Sequence, residues 1–231
     1  MSKKDTCAVI VAAGSSTRFG GKDKLFASIE GQTVLMRSVI AFQNNTDTDG
    51  IVIVTREDLI FPVTELCRAS GISKCISVVE GGKCREESVI NGLSAAEGYR
   101  TVLVHDAARP LVSDELISAV VSAAAEYGAA IPVIPVKDTV KLLSGDGFVI
   151  STPERASLFA AQTPQGFLLS MYKNALSVWT GELDGVTDDA SLFENAGYRV
   201  KTVTGQRSNI KITTSEDIAA AEAFIRTGEA K

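Results

Sequence analysis

AVIVAAGSSTRFGGKDKLF, residues 8–26, passes from apolar to glycine-rich to basic within nineteen residues. Val9, Ile10 and Val11 are consecutive β-formers with no polar residue among them, so the strand they predict is buried on both faces. Strands of that kind belong to mainly parallel sheets covered on both sides. Ala12, Ala13 and Gly14 end the strand, and two serines, a threonine, Arg18, a glycine pair and two lysines follow. The stretch admits two readings: a strand-to-helix turn with solvated charges, or a cradle for a polyphosphate.

The same rhythm continues outward from it. Apolar strands are predicted at 7–12, 51–55, 75–79, 101–105 and 129–134. Helices are predicted between them, near 33–43, 57–70, 85–97 and 114–127, the last starting at Ser113. Repeated strand–helix alternation predicts an α/β fold, with ligands at the carboxyl ends of the strands. The pattern changes after Val136. KDTVKLLSGDGFVISTPER reads as two short strands around Ser144-Gly145-Asp146-Gly147, a hairpin arm at about 137–155. A helix near 168–179, another near 188–196 and a strand at 199–204 follow. A final helix from about Ser215 has Ser-Glu-Asp as its N-cap and acidic first turn. No repeat or linker divides residues 1–231, which read as one domain.

Composition narrows the function. The 45% apolar and 22% charged residues are those of a soluble globular chain, and the net charge of −5 argues against nucleic-acid coating. Four cysteines (Cys7, Cys67, Cys75, Cys84) without a C-x-x-C pair, and a single histidine, argue against zinc. They suit a reducing cytosol. The lysines and short apolar run at the N-terminus do not make a signal peptide, because the run ends in a polar, basic loop. The most membrane-like stretch, Leu116 to Val136, is broken by Glu126, Gly128, Pro132 and Pro135. The expectation is a cytoplasmic protein without membrane or nucleic-acid partners.

The opening loop fits neither common phosphate-loop template. Gly21-Lys22 is followed by Asp23 rather than Ser or Thr, and Ser16 stands where a dinucleotide loop needs glycine. Amides around Gly14-Ser15-Ser16 with Arg18 and Lys24 nonetheless supply what an anion site needs. HDAARP, residues 105–110, ends the fourth strand. Asp106 there suits a divalent metal and Arg109 a phosphate, against the plainer reading of an Asp106–Arg109 salt bridge. His105 alternates to the opposite side and reads as structural. GGKCREES (81–88) offers glycines for close approach to a flat ring, with Arg85 and Ser88 in the first turns of a helix. AAQTPQGF, VTDDAS and SNIKIT read individually as turn and cap segments.

In this order, the segments resemble the 2-C-methyl-D-erythritol 4-phosphate cytidylyltransferase family of the non-mevalonate isoprenoid pathway. The shared markers are AAG-x-x-x-R with a lysine before an aromatic, GG-x-x-R-x-x-S, HDAARP, KDT, TPQ, TD-x-AS and NIKIT. They span Ala8 to about Ile225. The resemblance implies a Rossmann-like, three-layer nucleotidyltransferase fold with a mainly parallel sheet and a protruding β-arm used to form a homodimer. It implies CTP and a polyol phosphate as substrates, and Mg²⁺ as cofactor. It further implies CTP contacts at Ala12, Ala13, Gly14, Ser15, Gly81, Gly82, Ser88, Asp106 and Ala107. Arg18 and Lys24 would act on the triphosphate, Lys24 being preferred to Lys22 because Lys24-Leu25-Phe26 matches the lysine-aromatic spacing. Polyol-phosphate contacts would come from Asp106, Thr163 and Lys211, with Arg109, Thr139 and Arg155 reaching in from a partner's arm side. Asp106 would hold the metal. Two positions depart from the family: Ser208 stands where an acidic residue often precedes NIK, and Lys83 where an acidic residue contacts ribose.

The implied reaction is attack of an ionised phosphate oxygen on the α-phosphorus of CTP, which needs no general base. Three other readings stand beside it. One is a cytidylyltransferase for another polyol phosphate such as ribitol 5-phosphate, and one a nucleotide-binding protein without catalysis. The third, a glycosyltransferase, would need a D-x-D after a strand, whereas Asp47-Thr48-Asp49 precedes one.

Overall fold

The computed structural model describes residues 5–14 and 23–229. Its first half is β1 (Thr6–Val11), β2 (Ser28–Ile29), β3 (Gln32–Thr33), α1 (Val34–Asn44), β4 (Gly50–Thr55), α2 (Ile60–Ala69), β5 (Cys75–Glu80), α3 (Arg85–Ala95) and β6 (Thr101–Asp106). The second half is α4 (Asp114–Tyr127), β7 (Ala129–Pro135), β8 (Leu142–Leu143), β9 (Val149–Ser151), β10 (Phe159–Ala161), β11 (Gln165–Leu168), α5 (Leu169–Ser177), α6 (Asp189–Asn195), β12 (Lys201–Thr204) and α7 (Ser215–Thr227). The α/β reading and the five predicted strands of the first part are therefore found.

The main sheet has the order β10-β7-β11-β6-β1-β4-β5, with β12 pairing parallel to β7. β6, β1, β4 and β5 are mutually parallel. Alternate residues along each strand feed opposite layers. Ala8, Ile10, Ile51, Ile53 and Leu103 pack with Val39 and Phe42 of α1, Val63 of α2, Ile117 of α4 and Ala221 of α7. Cys7, Val9, Val52, Val54 and Val104 pack instead with Val89 of α3, Tyr172 of α5 and Phe193 of α6. Both faces are thus covered, which is why these strands show no polar alternation.

The chain runs from β1 outward through β4 to β5, then returns to place β6 on the other side of β1. Connections leave β1 and β6 in opposite directions, opening a crevice at their carboxyl ends. Val11 and Asp106, the last residues of the two strands, are register partners there.

Two features differ from the expectation. AAQTPQGF is strand-bearing: β11 enters the main sheet antiparallel between β6 and β7, and β10 pairs antiparallel with the far end of β7. Gly disfavours strands locally, and at Gly166 sheet pairing overrides it, while Pro164 stays between β10 and β11. The N-cap of α7 is Thr214, one residue earlier than Ser215, because Thr214 and Asp217 form a capping box. Ser113 caps α4 as read, its hydroxyl accepting from Leu116 N–H. The hairpin forms around Ser144–Gly147, with Gly147 at φ +88°. Leu116–Val136 is divided between α4 and β7, and no helix among the described residues is long and apolar enough to cross a membrane.

Gly92 lets α3 settle against the sheet, since a Cβ there would collide with Val9 and Val54. Replacing Gly92 by Val should therefore cost about 1–3 kcal/mol of stability through overpacking. A denaturant midpoint equal to the parent's would contradict this close approach.

Candidate active site

Two cavities open at the carboxyl ends of the strands. The larger, about 500 Å³, is walled by Val11 to Gly14, by Lys24 and Leu25, and by the β5–α3 junction. The smaller, about 300 Å³, lies towards β10, β11 and α6 and is lined by Arg109, Gln162, Thr163, Gln165, Thr187 and Asp188. Arg85, Asp106 and Lys211 line both. These three charged side chains form the junction.

Asp106 emerges at the end of apolar β6 with its carboxylate between two cations. Lys211 Nζ lies 2.7 Å from Oδ2, and Arg85 Nε lies 3.5 Å from Oδ1. Burial alone would raise the carboxyl's pKa, but Lys211 and then Arg85 outweigh it and hold the group below the usual carboxylate range. The simple Asp106–Arg109 bridge is not what forms. Arg109 Nη1 donates to the Asn209 carbonyl at 2.7 Å, while its Nε is buried without a hydrogen-bond partner. Arg109 thus sits on the wall of this chain's own smaller cavity, because a turn from Asp106 O to Arg109 N folds it back there.

His105 is fully buried behind the site. Its Nε2 lies 3.1 Å from the Arg109 carbonyl, which can only accept, so Nε2 carries the proton. Nδ1 then accepts from Thr163 Oγ at 3.0 Å, and Thr163 Oγ accepts in turn from Asp106 N–H at 3.1 Å. Thr163 therefore lines the smaller cavity with its proton already committed, and what it offers a ligand is an acceptor lone pair. Phosphate oxygens, which need donors, are better served by Lys211 and Arg109.

The nucleotide-side residues separate in the same way. Ala12, Ala13, Gly14, Lys24, Gly82 and Ser88 all line the larger cavity. Ser88 Oγ accepts from Gly82 N–H at 3.0 Å and donates to the Cys84 carbonyl at 2.9 Å, leaving one acceptor lone pair. Gly81 does not line the cavity. Its N–H donates to Thr55 O, and a side chain there would strike Ala13 and Ser88. Ala107 is a correction of the same kind. It is fully buried, its N–H donates to Val11 O and its carbonyl accepts from Ser38 Oγ, so Ala108 takes its place on the wall. Thr139 and Arg155 line neither cavity, and Arg155 Nη1 donates to the Lys137 carbonyl within the arm. Ser15 and Arg18 lie outside the described residues, as does Lys22.

Arg85 received no ligand role from the sequence. Its Nη2 lies 2.6 Å from Asp189 Oδ2, across 104 positions of chain. Behind it the Tyr172 hydroxyl lies 2.5 Å from Glu86 Oε1 and 2.7 Å from Asp189 Oδ1. A phenol has one proton to give, so one of these contacts needs a carboxyl proton. Burial first, then repulsion by Asp189, pushes the Glu86 pKa up to about 7, the direction that sharing such a proton requires. The only local hint was position, since Arg85 opens a helix directly after the Gly-Gly turn.

The family model for 2-C-methyl-D-erythritol 4-phosphate cytidylyltransferase (IspD) matches residues 6–227. The enzyme of that name from Clostridium novyi is 40% identical over 225 residues, covering 95% of this chain and 96% of the relative. Its namesake from Bacillus cereus is 41% identical over 219 residues, covering 94% of this chain and 96% of the relative. The crystal structure of 4-diphosphocytidyl-2C-methyl-D-erythritol synthase from Anaerococcus prevotii superposes with a TM-score of 0.82 at 33% identity, covering 97% of each chain.

Burial drives the His105 pKa down to about 4. The fold favours the neutral ring, so its contribution to stability is complete above the unfolded value of about 6.5 and is lost as pH falls towards 4. As the chain has one histidine, its ring resonances are unambiguous. An NMR titration should give a midpoint near 4; an ordinary midpoint near 6.5 would mean the ring is not sealed in.

Proposed function

The chain belongs to the 2-C-methyl-D-erythritol 4-phosphate cytidylyltransferase family, and from that premise we infer that it transfers the cytidylyl group of CTP to 2-C-methyl-D-erythritol 4-phosphate, releasing pyrophosphate, in isoprenoid precursor synthesis. The observation that carries this reading is the pair of cavities meeting at Arg85, Asp106 and Lys211. Two substrates need two rooms and a shared wall where the new bond forms.

CTP fits the larger cavity, with its base against Gly82 and the Ser88 lone pair. An exocyclic amine is the donor that lone pair can accept. Its triphosphate fits the Ala12–Gly14 turn and Lys24. The acceptor phosphate fits the smaller cavity, where Lys211 and Arg109 offer positive charge. A phosphate oxygen of the acceptor forms a bond to the α-phosphorus of CTP as the bond to the β-phosphate bridging oxygen breaks. The incoming oxygen is already ionised, so no side chain must remove a proton. What the protein contributes is alignment and positive charge placed before the reaction.

Magnesium is compatible with this donor set in one way. Among the described residues no group of three or more His, Cys, Asp or Glu side chains could cage an ion, and Asp106 is the acidic residue lining both cavities. An ion bound chiefly by triphosphate oxygens and water, with Asp106 as its one protein carboxylate, is how Mg²⁺ is commonly held. Bound there, it would neutralise charge on the phosphates.

The arm supports a homodimer. Leu142, Leu143, Phe148, Val149 and Ile150 are all more than half exposed on the β8–β9 hairpin, an apolar surface that a second copy would cover. Thr139 and Arg155, at its base, would then reach the partner's acceptor cavity. The cytoplasm is the compartment we assign, where thiols stay reduced, and no disulfide joins the four cysteines.

The reading is tested by pyrophosphate release with CTP, Mg²⁺ and 2-C-methyl-D-erythritol 4-phosphate. Turnover should require CTP over ATP or UTP, and preference for ribitol 5-phosphate would reassign the acceptor. In the same assay Lys24→Ala should lower kcat by roughly 10²–10³-fold, the scale of losing one strong transition-state donor. Unchanged kcat would remove Lys24 from the mechanism. Deleting residues 141–151 should convert the protein to monomers in gel filtration; an unchanged elution volume would place the dimer contact elsewhere.

A further inference from the structure

Among the three residues at the junction, Lys211 and Arg85 hold Asp106 in different ways. Lys211 is 43% exposed on its side chain and reaches Asp106 from a loop. Arg85 is braced from behind by Asp189, which is fully buried and accepts from Tyr172 on its second oxygen. The guanidinium meets Asp189 through Nη2 and Asp106 through Nε, with Glu86 Oε2 3.7 Å from Nη1. A lysine, with one charged nitrogen on a flexible stem, does not reproduce that fork.

An acceptor phosphate in the smaller cavity competes with Asp106 for the Lys211 ammonium. When Lys211 turns to it, the side chain left ion-paired with Asp106 is Arg85. We propose that Arg85 is a positioning residue of the reaction, holding the Asp106 carboxylate in place at the junction while Lys211 is engaged by the acceptor, with Asp189 and Tyr172 as its brace. The proposal rests on the cytidylyltransferase reading; Arg85 lines both cavities, and the role assigned to it runs through Asp106.

It makes a distinction that a purely structural role would not. Without acceptor, Lys211 still holds Asp106, so the loss of Arg85 should cost CTP binding less than it costs turnover. With acceptor present, Asp106 loses its last ion-paired side chain and turnover should fall. The double variant Arg85→Gln/Asp189→Asn removes one charge of each sign, so that Asp189 is not left as a bare buried carboxylate. It should keep its thermal midpoint within a few degrees of the parent and lose less CTP affinity, by calorimetry without acceptor, than it loses kcat. Its kcat should fall by about tenfold to 10²-fold, the scale of a misplaced group. A folded double variant with kcat within twofold of the parent overturns the proposal. So does loss of CTP binding in parallel with kcat, which would indicate general distortion. If the double variant does not fold, Arg85→Lys decides by the same two measurements: it keeps the charge for Asp189 but loses the fork, so kcat should fall further than CTP affinity. Parent-like kcat in that variant overturns the proposal. The parent enzyme, run alongside, separates the outcomes: if it turns over no acceptor, the functional reading falls and this inference with it.

Discussion

A carboxylate at the end of an apolar strand loses much of its hydration, and positive charge must replace it if it is to stay ionised. Asp106 meets that demand from two elements, the loop carrying Lys211 and the first turn of α3 carrying Arg85. The surrounding backbone is tied accordingly. Ile212 N–H donates to Ala108 O, Arg109 to Asn209 O, and Asn209 Nδ2 to Thr163 O. These bonds join three stretches distant in sequence around one charge. Both cavities inherit their common wall from that arrangement.

The charge line continues into the core. Arg85 is paired with Asp189, Asp189 with Tyr172, and Tyr172 packs edge-on against Phe167 and Phe193. An aromatic cluster on the second face of the sheet therefore fixes a cation at the mouth of the site. Groups fixed in advance need little reorganisation as charge moves during phosphoryl transfer. The α5–α6 region, which looks like mere sheet cover, takes part in the site through Asp189 and the Asp188–Gln165 contact.

Much of the fold was legible because its signals are local. Doubly apolar strands at regular spacing, Ser113 as a helix cap and Ser144–Gly147 as a turn each depend on a few neighbouring residues. The site was legible where a motif sits at a strand end: Gly14 after β1, Gly82 after β5, Asp106 at the end of β6. Where a residue's neighbours decide its availability, reading along the chain is not enough. Ala107 stands beside Asp106 but spends its backbone groups inside the fold, and Thr163 spends its proton on His105.

By itself, the sequence determined that the chain alternates strand and helix under a two-sided sheet, that its basic and acidic motifs gather at the strand ends, and that a hairpin interrupts the pattern after β7. Periodicity and turn chemistry suffice for that, since both act over a few residues. Only the tertiary structure decided that β11 enters antiparallel between β6 and β7, and that Arg85 rather than Arg109 braces Asp106. Sheet pairing depends on which edge is open when the strand arrives. The partner of a buried charge is whichever opposite charge the packing brings within a few ångströms, here Asp189, with no trace in the spacing of either residue.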